Sequence, residues 1–281
     1  MRQMYLLTIF LNFLITSYAQ ENTKTNAGAS FKIGVNYNSS LNYYGRTDSL
    51  QSSGFFPSAE LWLSSDYYVS ATAVTINNSF QKFKYAGTIL TAGYEHATKK
   101  WATGITILKP LYAEKNDLVE SALKGQVNIN VTRLNSFANV SLGADVKVSD
   151  KPDIGATGGI DHLFTLPSKI GSAFIINPGI FVYAGTQQFS RTYTTHISSL
   201  PVGSTQHKET LSRFNILAIE TSVPVIYVQG RIMLTITPAY IIPKNIQANA
   251  GQPQLSEQGK NIFYTSCSIK WSFNKQKLAS H

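Results

Sequence analysis

The residues whose types could carry out chemistry are few: His96, His162, His196, His207, His281 and a single cysteine, Cys267. No two of these histidines stand three or four residues apart, the spacing that lets two imidazoles on one helical face share a metal. His96 falls in a predicted turn and His162 near a predicted strand end. His196 and His207 lie in the longest predicted loop, and His281 is terminal. Ester hydrolysis needs a nucleophile, a base and a group that orients the base, and no predicted strand carries a Ser and a His so placed. Gly155-Ala156-Thr157-Gly158-Gly159 is no phosphate cradle, because no helix follows it. The basic residues are scattered, so there is no nucleic-acid footprint. These residues predict a protein that is not an enzyme, with no catalytic residue, cofactor or metal.

What remains is a set of charged and polar residues spaced two apart. In Leu123–Val131, Lys124, Gln126, Asn128 and Asn130 alternate with Leu123, Gly125, Val127, Ile129 and Val131. In Val140–Val148, Ser141, Gly143, Asp145 and Lys147 alternate with apolar or small residues. A helix would spread these polar groups around its surface, whereas a strand places them on one face. The alternation predicts twelve strands, over 30–43, 54–64, 67–77, 84–95, 100–109, 121–133, 137–148, 153–164, 172–185, 213–223, 230–242 and 261–273. Short connections (64–66, 96–99, 134–136, 165–171, 224–229) take turns with longer ones (45–53, 78–83, 110–120, 186–212, 243–260). The short connection at 149–152 breaks the pattern. Pro57, Pro178 and Pro238 sit inside strand patterns and predict bulges or strand ends.

Composition narrows the setting. Of 281 residues, 14% are charged, 43% hydrophobic and 12% aromatic, against roughly 25% charged in soluble domains. Disorder is excluded by the apolar content, and no apolar run of about 20 residues follows the N-terminus to make a membrane helix. Low charge with alternating strands of even number, short turns and long loops predicts an all-β fold: a closed antiparallel transmembrane β-barrel of about 12 strands, with short periplasmic turns and longer extracellular loops. Residues 1–19 (MRQMYLLTIFLNFLITSYA) have the positive start, apolar core and small-x-small end of a secretory signal peptide. Residues 20–29 then form a short periplasmic segment, 30–273 the barrel and 274–281 a polar tail. A lone cysteine permits no internal disulfide. Aromatics near strand ends (Tyr43, Tyr44, Phe55, Tyr67, Tyr68, Trp101, Tyr112, Tyr183, Phe189, Tyr227, Tyr240, Trp271 and Phe273) predict interfacial belts.

Two segments carry a resemblance. In the last strand, Phe263, Thr265, Cys267, Ile269, Trp271 and Phe273 face away from Tyr264, Ser266, Ser268, Lys270 and Ser272. This resembles the closing strand of bacterial outer-membrane barrels, which implies recognition by the barrel-insertion machinery. The stretch FNILAIETSVPVIYVQGRIMLTITPAYIIPKN, from Phe214 to Asn245, resembles a recurrent hairpin of uncharacterised outer-membrane β-barrel proteins of the Bacteroidota type. That resemblance implies the fold and a bacterial outer-membrane location, and no activity.

If the apolar faces meet outer-membrane lipid, the opposite faces point into a lumen. The predicted inward set is Lys32, Asn36, Glu60, Lys124, Gln126, Asn128, Asn130, Asp145, Lys147, Asp161, Glu220, Arg231, Ser268 and Lys270. Glu220 and Arg231 flank the predicted 224–229 turn and are expected to face each other. Strands 67–77, 84–95 and 100–109 mix both faces and are left unoriented. The longest loop offers Arg191, Tyr193, His196, His207 and Lys208 as a contact surface or constriction. The expected function is a passive channel for a small solute or ion. The alternatives are a closed barrel in which opposite charges bridge the interior and, remotely, a lipid-modifying enzyme.

Overall fold

Alternating residues make strands with two unlike faces, and a sheet with two unlike faces is stable only when each face meets its own surroundings. In a computed structural model, which describes residues 29–47, 51–79, 82–113, 123–149, 152–166, 171–186, 214–245 and 259–273, the sheet achieves this by closing on itself. Its segments are β1 (Ser30–Asn38), β2 (Asn42–Tyr43), β3 (Arg46–Thr47), β4 (Ser53–Trp62), β5 (Tyr67–Asn77), β6 (Lys84–Ala97), β7 (Trp101–Tyr112), β8 (Gly125–Arg133) and β9 (Asn139–Val148). They continue with β10 (Asp153–Asp161), β11 (Phe164–Leu166), β12 (Ser172–Ile176), β13 (Gly179–Gly185), β14 (Asn215–Ser222), β15 (Val225–Gln229), β16 (Ile232–Pro243) and β17 (Ile262–Ser272).

All pairings are antiparallel, and β17 pairs with both β16 and β1, which closes the ring. Three staves are each built of two segments. The register that pairs β13 with β14 (Gly179↔Ser222) continues unshifted into β12 with β15 (Ile176↔Val225), and β10 runs on into β11 in the same way. Two breaks fall at Pro178 and Pro224, which cannot donate to a ladder, and the third, at residues 162–163, lies opposite Pro178. The carbonyls of both prolines still accept, from the N–H groups of His162 and Asn177. Counted as staves, the protein is a closed twelve-stranded antiparallel β-barrel. β2 and β3 form a separate two-stranded hairpin.

Two expectations need correction. The first stave ends at Asn38, not at residue 43, because residues 39–47 leave the wall. Residues 225–229 are strand, not turn: the turn is the two residues Gly230-Arg231, with Gln229 opposite Ile232 and Gly230 at φ 60°, as a two-residue hairpin requires. Pro57 and Pro238 stay inside β4 and β16. The β4–β5 ladder skips Phe56 and Pro57, and the Pro238 carbonyl accepts from Val223 N–H. The three unoriented staves turn even residues of β5 and β7 inward, and odd residues of β6 from Gly87 to Glu95. Residues 1–28 and 274–281, and the loop residues Phe189, Arg191, Tyr193, His196, His207 and Lys208, lie outside the described residues.

The outer surface is apolar. Along β8 the outward residues Val127 and Ile129 are exposed, as are Val140, Leu142, Val146 and Val148 on β9. Exposed aromatics gather at both rims. At the rim with the short turns are Phe31, Tyr67, Trp101, Trp271 and Phe273; at the rim with the long connections are Tyr37, Phe83, Tyr85, Tyr240 and Phe263. Phe31 packs against Phe273 at 5.3 Å and Tyr67 against Tyr94 at 4.9 Å. Arg133 lies over the Trp101 ring at 5.4 Å. Of the aromatics expected in these belts, Tyr43, Tyr68 and Tyr183 are instead buried and point into the barrel, and Tyr44 lies inside with them.

Candidate functional site in the lumen

On the wall made by β17, β1 and β4, the short-turn end carries a clasp. Lys270 on β17 reaches across β1 to Glu60 on β4, with Nζ 2.8 Å from Oε1. Gly34, opposite Lys270 and Ser58, makes this crossing possible, since a Cβ there would stand 3.0 Å from Lys270 Cγ. Trp62 Nε1 donates to the other Glu60 oxygen at 3.3 Å, and Lys32 Nζ lies 4.3 Å from the centre of the Trp62 ring. Trp62 in turn stacks on Tyr68 at 4.8 Å. Gly34→Leu is expected to displace Lys270 and to cost about 1–3 kcal/mol, the usual penalty of overpacking. A lowered temperature for the folded-to-unfolded shift in gel mobility reads this out.

Other predicted inward residues separate into groups. Asp161 is buried and accepts from Asn139 Nδ2 at 2.8 Å. With its amide turned to satisfy both neighbours, Asn177 donates to the same carboxylate oxygen at 2.9 Å and to the His162 carbonyl at 3.0 Å. Asn36 and Ser268 face each other on β1 and β17. Lys124 is exposed, just ahead of β8; Leu123 takes the interior position in its place. Glu220 and Arg231 do not meet. Arg231 is exposed in the Gly230-Arg231 turn, whereas Glu220 lies far along β14, opposite Phe181 and Ile241. Glu220 is buried, with Tyr264 as its hydrogen-bond donor.

Among the described residues, the first connection is the segment that enters the lumen. Beyond β1 the chain turns inward, and the side chains of Leu41, Asn42 and Tyr43 are buried. Leu41 joins one apolar cluster with Phe56, Val74, Ala86, Ile89, Leu108 and Leu123, carried by β4 to β7 and the residues just ahead of β8 at the long-connection end. The turn between β2 and β3 places Tyr44 at φ 53° and Gly45 at φ 82°. Positive φ at both central residues defines a type I′ turn. Such a backbone strains a residue as bulky as tyrosine, so packing must hold it. Tyr44 meets Tyr183 on β13 at 5.3 Å, and Lys260 N–H donates to the Gly45 carbonyl at 2.9 Å.

The anchor on the far wall is Lys147, which is 2% exposed. Its ammonium pairs with Asp145 and donates to Tyr44. Burial pushes the phenols of Tyr43 and Tyr44 above the ordinary tyrosine range, so both stay neutral hydrogen-bonding groups at physiological pH. Asp153, next to this site, accepts from the Thr186 hydroxyl, which also receives Ile154 N–H at 3.1 Å.

Beneath the hairpin lies a cavity of about 140 Å³, bounded by Tyr43 and Tyr44 above and by inward residues of β5 to β10, β13, β14 and β16 at its sides. Gln126, Asn128, Asn130, Tyr68, Glu95, Asp145, Phe181, Tyr183 and Glu220 line it. On the remaining wall, Asn36, Asn38, Thr235 and Thr237 form a polar strip across β1, β17 and β16. Asn36 Oδ1, both amide atoms of Asn38 and both threonine hydroxyls find no hydrogen-bond partner among the described residues. At the short-turn end, Ile175, Ile226, Val228 and Met233 form a second apolar cluster on β12, β15 and β16.

Comparison with solved structures adds barrels and nothing finer. LpxR from Salmonella typhimurium is 11% identical, with 85% of this chain and 99% of that one aligned at a TM-score of 0.43. An outer-membrane channel from Pseudomonas putida F1 is 12% identical, with 90% and 99% aligned at 0.44. The beta domain of the Bordetella autotransporter BrkA is 8% identical, with 89% and 100% aligned at 0.43. No family model and no curated protein matches the chain.

Among the described residues no three His, Cys, Asp or Glu side chains are grouped to hold a metal. His96, expected in a turn, lies near the end of β6 and pairs with Asp66 of the neighbouring turn at 3.1 Å, His162 stands edge-on to Phe164 at 4.3 Å, and Cys267 is exposed on the outer face. The interior residues that sequence reasoning missed are Tyr43, Tyr44, Tyr68, Glu95 and Tyr183; Tyr264 falls on the face of the last strand expected to point inward. The one signal for them was local: Asn42-Tyr43-Tyr44-Gly45 places a turn glycine where the strand pattern was read as continuing to residue 43.

Proposed function

We propose that this chain is an integral outer-membrane β-barrel that acts as a narrow passive channel for small solutes or ions, with the β2–β3 hairpin as its constriction. One observation carries the membrane part: the polarity of the barrel is inverted, with apolar residues outside between two aromatic rims and polar ones within. In hydrocarbon every backbone group must be paired internally, and a closed sheet with a lipid-compatible exterior meets that demand. Export by the segment at 1–19, insertion by the barrel machinery and a Bacteroidota-type origin belong to the same reading. So does the expectation that the chain is not an enzyme.

Ile129, midway along β8 and 55% exposed, tests the membrane. Ile129→Arg is expected to destabilise the vesicle-inserted barrel by about 2–4 kcal/mol, as a cation at mid-bilayer does, measured by equilibrium urea unfolding. A change within about 0.5 kcal/mol, as on a water-facing surface, would argue against a lipid-facing wall. A second reading, a closed barrel with a structural or surface role, is favoured by the apolar clusters at the two ends of the lumen. Single-channel recording separates the two.

A further inference from the structure

Every lining side chain of the cavity beneath the hairpin that carries charge is a carboxylate: Glu95, Asp145 and Glu220. No Lys, Arg or His lines it. Asp145 is neutralised from behind by Lys147. Glu220 is 4% exposed, is held by the Tyr264 hydroxyl and has no cationic partner among the described residues. A second, independent group points the same way. Gln126 is 3% exposed; its amide nitrogen donates to Asn128 at 3.1 Å, while its Oε1 has no partner among the described residues. The carboxylate without a cation and the unpartnered Gln126 oxygen are both acceptors, which call for a donor or a positive charge. Beside these groups, the aromatic rings of Tyr43, Tyr44, Tyr68, Phe181 and Tyr183 line the cavity, together with neutral polar and small apolar side chains. Aromatic faces attract cations, quaternary ammonium above all.

We propose that this chamber is a binding site for a small organic cation, an amine or alkylammonium, seated between the tyrosine rings and balanced by Glu220. The proposal deepens the channel reading by naming the solute class that the lumen selects. The volume suits it, since an engineered cavity of about 150 Å³ holds benzene. Phosphate esters and carboxylates are disfavoured, because no cation in the lining would meet them.

The test is calorimetric titration of the full-length protein, folded in detergent, with tetramethylammonium chloride. Sodium chloride, sodium acetate and glycerol serve as controls. Saturable binding of tetramethylammonium alone is expected, weakened at least tenfold in Glu220→Gln. Gln126→Leu should also weaken it and stands in if Glu220→Gln does not fold, with folding judged by heat-modifiable gel mobility. No saturable heat with the wild type, equal binding of acetate or glycerol, or full binding by the folded variants would overturn the site. Binding is read without a bilayer, so its failure is distinct from a failure to conduct.

Discussion

Replacing Leu41–Thr47 with a Gly-Ser linker of equal length is expected to raise single-channel conductance several-fold over wild type in planar bilayers. A twelve-stranded barrel encloses only a modest bore, which side chains can largely fill, so one inward hairpin has a large effect on the open area. Leu41 seals one side by inserting among Phe56, Val74, Ile89 and Leu108, and Tyr44 meets the opposite wall at Tyr183. The linker removes both contacts and leaves all twelve staves in place. Unchanged conductance in a folded variant would mean that the bore is limited elsewhere, with the Ile175, Ile226, Val228 and Met233 cluster the next place to look. No opening events from either protein would sink the channel reading and leave the closed barrel.

Lys147→Met should have the second large effect. Lys147 and Asp145 are 2% and 11% exposed, and removing one partner of a buried pair strands the other's charge, at about 3–5 kcal/mol. Urea unfolding in vesicles would show that loss directly. The hairpin should also loosen, because Tyr44 loses its ammonium donor, and the open-channel current should become noisier. Adding Asp145→Leu should recover most of the stability, since replacing both partners by apolar groups of similar size is often close to neutral. It should not restore the quiet current. If the double variant is no more stable than Lys147→Met, the cost lies in lost packing around the lysine stem and not in a stranded carboxylate.

The twelve staves were legible because lipid on one side and polar lumen on the other enforce alternation, and 123–131 and 140–148 carry it without interruption. The staves that resisted orientation share a physical cause. Val74, Ile89 and Leu108 point inward yet are apolar, because they receive Leu41, and that contact cannot be known before the hairpin is placed. β6 adds a bulge, where the register against β5 shifts between Val74/Gly87 and Thr75/Tyr85, so one strand presents two phases. Pro224 read as a turn because proline usually ends a central strand. Here the ladder tolerates it, since Val223 and Asn177 supply the bonds around it. Glu220 was identified as interior, but its partner was not, because pairing it with Arg231 depended on a turn placed some residues too early. The acidic, tyrosine-lined chamber was not legible at all, since its walls come from nine different staves and a loop.

The pairing of β1 with β17 has a kinetic consequence. Every other neighbouring pair of staves is a hairpin, formed by chain segments that follow one another, so most of the wall can assemble by local zipping. One encounter remains, between segments at opposite ends of the barrel sequence, and only then does Lys270 come within reach of Glu60 across β1. The clasp is thus absent while the hairpins form and present once the ring is complete. Interactions of that kind leave the folding rate alone and slow unfolding, so the Lys270–Glu60 pair works chiefly as a brake on reopening.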